Sequence, residues 1–239
     1  MVIYYKYNAM HLILTDARGL YCMQTCFLVG AAPQAARIDV QPGDYIIAAD
    51  GGCDHLRRWG ILPDFVVGDM DSLRSGLPQG VPCRTAPAEK NETDMALALW
   101  EGYARGHRRF EMVGASGGRP DHTMANLQLL VRAARYGAFV LLRDNGFCAT
   151  ALAEAGELRL RGTGTVSVFA CCEEARGVSI QGMKYAMENG VLRGDTPLGV
   201  SNALEDAEGL ITMESGALLV FWEERAIQWE SRIEPLVNI

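Results

Sequence analysis

The sequence predicts an α/β protein of two domains: an N-terminal, doubly wound, mainly parallel sheet followed by a C-terminal antiparallel β-sandwich. Two observations carry this. Up to residue 144, short and largely apolar strand-like runs alternate with helical periods. Beyond it the helical periods stop, and short strand-like runs follow one another between Gly and Asn punctuation. Strand–helix alternation implies a parallel sheet covered by helices, whereas strands without helices close into sandwiches or barrels. The predicted division is 1–24 as a peripheral extension, 25–148 as the α/β domain and 149–239 as the β-sandwich. At 239 residues the chain has room for two such cores.

Taken in order, residues 1–22 carry apolar patches without a helical period, and Met23 stands just before the first clear strand. CFLVG (26–30), YIIAAD (45–50), DFVVGD (64–69), FEMVGA (110–115) and AFVLLRD (138–144) read as strands buried on both faces. Between them, CDHLRRWG (53–60) ends on Gly60, a C′ glycine. TDMALALWEGYARG (93–106) opens with Thr93 and Asp94, which suit an N-cap and first turn. DHTMANLQLLVRAARYG (121–137) sets Met124, Leu127, Leu130, Val131 and Ala134 on one apolar stripe. The second half offers ATALA, ELRLRG, GTVSVFACC, GVSIQG, KYAME, GVLRGDT, LITMES and GALLVFWEE as short strands between residues 149 and 224.

The net charge of −7 argues against a nucleic-acid binder. Seven cysteines, an odd number with no CxxC pair and no signal peptide ahead of them, lead us to expect a reduced, cytoplasmic compartment. Cys22 and Cys26 read as ordinary thiols, not a metal half-site. No apolar run approaches the roughly 20 residues that span a bilayer, so no membrane partner is expected.

Ligands of an open parallel sheet bind outside the carboxyl ends of its strands. Acids gather at such ends. Asp50 closes YIIAAD before Gly51-Gly52, Asp69 and Asp71 follow the strand of VVGDMDSL, and Asp94 and Asp121 open helices. Carboxylates about 5 Å apart repel by roughly 3 kcal/mol at an effective dielectric near 20. Singly, each of these acids suits a strand end or a cap. Together, beside glycine-rich turns that let backbone N–H groups approach an anion, they suit a hard divalent cation such as Mg²⁺. His122 and Asn126 lie one helical turn apart, off the apolar stripe. With Arg119 and Asp121 they read as a polar face toward the ligand.

Four segments in this order, ADGGCDHL (49–56), PDFVVGDMDSL (63–73), EKNETDMALAL (89–99) and GASGGRPDHTMANL (114–127), resemble thiamine pyrophosphokinase. The likeness continues in GMKYAM (182–187) and GVSN (199–202). The resemblance implies an enzyme that moves a pyrophosphoryl group from ATP to thiamine, giving thiamine diphosphate and AMP, in a homodimer with thiamine sites at the interface. It implies Asp50, Asp69, Asp71 and Asp94 as Mg²⁺ ligands, the last three catalytic. The nucleotide would meet Asp50, Gly51, Gly52, Lys90, Thr93, Arg119, Asp121, His122 and Asn126, and thiamine would meet Ser201 and Asn202. One departure stands out: Asn91 occupies a position where the family commonly has an acid.

Two other readings compete with this one. DMDSL is similar to the nucleophile loop of haloacid-dehalogenase-type phosphatases, but that loop follows a first strand and this one follows a third. A non-catalytic nucleotide or thiamine sensor would not need all the acids retained here.

Overall fold

The computed structural model describes residues 3–6, 14–16, 19–21, 24–69, 76–85, 92–144, 146–224 and 227–233, with backbone alone for 3–21, 206–207 and 228–233. Three short strands come first: β1 (Ile3–Lys6), β2 (Leu14–Asp16) and β3 (Gly19–Tyr21), the last two an antiparallel pair. Contacts then divide the chain into an α/β unit, Gln24–Leu129 with Val140–Asn145, and a β unit, Met1–Met23, Leu130–Phe139 and Gly146–Ile239.

The α/β unit runs β4 (Cys26–Val29), β5 (Tyr45–Ala49), α1 (Gly52–Trp59), β6 (Phe65–Gly68), β7 (Cys83–Thr85), α2 (Asp94–Ala104), β8 (Arg109–Val113), α3 (Pro120–Arg135) and β9 (Phe139–Asp144). Its strand order is β9-β8-β4-β5-β6-β7. β4 pairs in parallel with β5 and β8, and β6 with β5 and β7. Every residue of β4 and β6 is buried, as strands covered on both faces require. One core gathers Phe27, Val29, Ile46, Ala48, Leu56 and Val66. Trimming the fully buried Leu56 to Ala would cost about 2–5 kcal/mol. α1 ends as its sequence foretells: Gly60 takes φ 71° and its N–H returns to the Arg57 and Leu56 carbonyls. β7 gave no apolar signal because all three of its residues are exposed.

α3 corrects the predicted stripe. Met124 is 56% exposed, and the buried face is made by Asn126, Leu129, Leu130, Val131 and Ala133. The helix is rotated so that Asn126 faces inward, where its amide Nδ2 donates to the Ala115 carbonyl at 2.7 Å. A polar residue with a buried partner can join an apolar face.

The β unit comprises β10 (Phe147–Ala153), β11 (Gly156–Ala170), β12 (Glu174–Gln181), β13 (Met187–Arg193), β14 (Gly199–Met213), β15 (Ala217–Glu223) and β16 (Ile227–Ile233). All its pairings are antiparallel, in the order β13-β12-β14-β11-β15-β10, with β16 beside β11 and β1 beside β16. ELRLRG and GTVSVFACC are not two strands. They fuse into the 15-residue β11, whose register slips at Gly162/Thr163. Glycine there bends the strand instead of ending it. The first half of β11 pairs with β16 and the second with β15. KYAME is also corrected: only Met187 and Glu188 enter a strand, because the loop before them is held sideways by Lys184 N–H to the Ala203 carbonyl, 2.9 Å.

Candidate active site

The chain lays β4, β5, β6 and β7 to one side and returns β8 and β9 to the other, so the segments leaving β4 and β8 diverge at a topological switch point. Such a point is where open α/β sheets bind ligands. A cleft of about 820 Å³ lies there, lined by Gly30–Pro33 after β4, by Gly114, Ala115, Gly118 and Arg119 after β8, and by acids from three further segments.

Asp50 follows β5 directly. It is 7% exposed, takes φ 47°, and donates its N–H to the Val67 carbonyl at 2.7 Å. Two glycines make the approach possible. A Cβ on Gly52, at the start of α1, would lie 1.9 Å from the Val29 carbonyl oxygen, so only glycine lets α1 sit against β4. A Cβ on Gly68 would lie 2.9 Å from Cβ of Asp50, so its absence lets Asp69 follow beside Asp50. Asp94 comes from α2, whose N-cap Thr93 accepts from the Ala96 N–H at 3.2 Å. The helix N-terminus favours its negative charge.

Carboxylate oxygens of Asp50, Asp69 and Asp94 lie within 4.8 Å of one another. The donor set is all hard oxygen, with neither thiol nor imidazole among the three. That chemistry fits Mg²⁺ better than Zn²⁺. Asp71, Lys90 and Asn91 lie outside the described residues.

Thr93, Arg119, His122 and Asn126 all line the cleft. Asp121 serves Arg119: its oxygens accept from Nε at 3.1 Å and Nη2 at 2.5 Å, and the guanidinium hydrogen bonds hold its pKa down to about 2. Gly51 caps α1, accepting the Asp54 N–H at 3.0 Å, and Gly52 packs behind.

Sequence reasoning passed over two contributors. Glu92, beside Thr93 in the KNETD segment itself, lines the cleft. His55, in ADGGCDHL, is buried and donates Nε2–H to the Ala32 carbonyl at 2.8 Å while Nδ1 accepts from Arg58 Nη2 at 2.5 Å. Burial pushes its pKa down, so a neutral ring props the Ala32 wall.

In the β unit, Ser201 takes φ 57°, is exposed, and donates its N–H to Ser167 Oγ at 3.1 Å. Asn202 is buried. Its Oδ1 accepts from the Tyr185 and Ala203 N–H groups, both at 2.9 Å, and its Nδ2 donates to the Tyr185 carbonyl at 2.7 Å. Its amide therefore clamps the exposed Tyr185.

A family model described as "Thiamin pyrophosphokinase, catalytic domain" matches residues 40–141, and one described as "Thiamin pyrophosphokinase, vitamin B1 binding domain" matches 157–218. Thiamine pyrophosphokinase of Bacillus subtilis (strain 168) is 26% identical over 181 residues, 73% of this chain and 85% of that protein. Among solved structures, thiamine pyrophosphokinase from Bacillus subtilis superposes with a TM-score of 0.73 at 22% identity, over 84% of this chain and 99% of its own. Thiamin pyrophosphokinase from Candida albicans gives 0.66 at 15% identity, over 93% and 99%.

Proposed function

The chain belongs to the thiamin pyrophosphokinase family and is an enzyme of pyrophosphoryl transfer to thiamine; from that premise we propose that the donor is ATP, that Mg²⁺ accompanies it, and that the products are thiamine diphosphate and AMP. The observation that carries this reading is the meeting of three carboxylates within 4.8 Å in a cleft of nucleotide size. A cation held by Asp50, Asp69 and Asp94, with Asp71 as a further ligand by motif, would offset their repulsion of a polyphosphate and polarise its oxygens.

The remaining roles fall to the chain itself. Thr93 fixes the start of α2, so Asp94 is aimed by a helix. Arg119, oriented by Asp121, presents a guanidinium fork that suits phosphate oxygens, and Lys90 is assigned to the nucleotide by motif alone. The thiamine hydroxyl gives its proton to a carboxylate of the cluster as its oxygen attacks the β-phosphorus. The bond from that phosphorus to the bridging oxygen breaks, and AMP leaves with the bonding electrons. In the β unit Ser201 and Asn202 serve thiamine. A homodimer with thiamine at its interface and a cytoplasmic setting complete the proposal.

The test is incubation with Mg-ATP and thiamine. AMP appearing in step with thiamine diphosphate is expected; thiamine-independent phosphate release overturns the reading in favour of a phosphatase. Subunit mixing tests the shared site: Asp69→Asn chains mixed with chains carrying Ala at both 201 and 202 should regain activity, and mixing without recovery removes the shared site from the proposal.

A further inference from the structure

β9 ends on Asp144, which is fully buried and does not line the cleft. Its Oδ1 accepts from the Gly114 N–H at 2.8 Å and the Ala36 N–H at 3.2 Å. Its Oδ2 accepts from the N–H groups of Ala115 at 2.7 Å and Ser116 at 3.1 Å, with Ser116 Oγ at 3.4 Å. Ala36 belongs to the segment leaving β4, and 114–116 to the segment leaving β8. These are the two walls that flank the switch point. The neighbouring Arg143 strengthens the same join, with Nη2 donating to the Arg37 carbonyl at 2.9 Å and to Glu111 Oε1 at 2.6 Å.

Three consecutive N–H groups converging on one point form the kind of backbone nest that binds phosphate. In this protein a carboxylate of the chain fills it. The nest is thus unavailable to the nucleotide, and the phosphates are left to groups inside the cleft. Four N–H donors on two oxygens also call for the ionised acid, since a carboxyl O–H would confront a donor. Burial pushes the Asp144 pKa up, and the N–H groups pull against that rise.

We infer that Asp144 is a positioning residue for the nucleotide: it ties both walls of the switch-point cleft to one carboxylate and fixes their spacing without touching substrate. This rests on reading the cleft as the ATP site. Asp144→Asn keeps the size but turns one acceptor oxygen into a donor facing two N–H groups. Its KM for Mg-ATP should rise about tenfold, the consequence of buried donors losing their acceptor. Its KM for thiamine should hold, and amide exchange at Ala36, Gly114, Ala115 and Ser116 should quicken. Leu56→Ala is the comparison for instability alone, expected to lower the unfolding midpoint without moving the KM for Mg-ATP. Asp144→Ala, prepared with and without formate, answers the same question where the amide variant does not fold, since formate can refill the nest; recovered affinity for a non-hydrolysable ATP analogue is expected. Unchanged nucleotide affinity in a folded Asp144 variant, unchanged exchange at the four amides, or indifference of folded Asp144→Ala to formate overturns the inference alone. Wild-type protein that binds no Mg-ATP analogue overturns it together with the ATP reading.

Discussion

The acids of the α/β unit and the Ser201-Asn202 pair of the β unit use polar side chains in opposite directions. Asp50, Asp69 and Asp94 turn like charges toward one another at the cleft, an arrangement that favours binding over stability. Asn202 turns its amide inward, and all three of its hydrogen bonds go to backbone of the same unit. Motif residues can therefore face the cleft or hold backbone in place. Asn126 and Asp144 show that the α/β unit uses the second mode too, one from each side of the 114–116 segment.

The sharpest way to break this comparison is Asp69→Asn. Turnover should fall at least about 100-fold, as expected when a charged group is removed from a phosphoryl-transfer site. Without Mg²⁺ the unfolding midpoint should rise, because one like charge has left the cluster; with Mg²⁺ the wild-type protein should gain more than the variant. Near-normal turnover at saturating Mg²⁺ would return these acids to a structural role.

Asn202→Ala probes the other side. It leaves two N–H groups and one carbonyl without their partner and should cost about 1–3 kcal/mol in denaturant unfolding. KM for thiamine should rise about tenfold on the same scale, with KM for Mg-ATP unchanged. A shift in the Mg-ATP value instead would mean that the residue serves the other substrate.

The smallest effect belongs to the Arg119–Asp121 pair at the rim. Asp121 has a folded pKa of about 2, below its ordinary 3.8, so its contribution is complete above about pH 4 and is lost as pH falls through 2. Both partners are exposed, so the gain is small and screened by salt. The difference in unfolding midpoint between wild type and Asp121→Asn should shrink as pH falls from 4 toward 2. A difference that stays constant would show that the pair contributes through geometry instead of charge.

What was legible in the sequence was local. Runs such as CFLVG and DFVVGD declared strands buried on two faces, Thr93 and Gly60 declared helix ends, and the acids stood where parallel strands stop. What stayed hidden depended on partners distant in sequence. Asp144 looked like one more strand end because the groups it binds include Ala36, 108 residues earlier. Asn126 read as part of a polar face toward the ligand, and its inward bond stayed hidden because the acceptor, the Ala115 carbonyl, lies on a loop that no helical period describes. Gly162 read as punctuation because a bulge and a turn draw on the same residue.

The divided pairing of β11 bears on how this protein takes shape as it leaves the ribosome. Gly156 meets Ile233, and Ile233 also meets Ile3, so the early half of β11 and the first strand both wait for residues translated much later. The parallel core of β4, β5, β6 and β8 has all its strands by Val113. Synthesis therefore presents the α/β half first, while β11 offers an unpaired edge until β16 emerges. The edge of β11 that will meet β16 is the stretch a holding chaperone has most reason to cover.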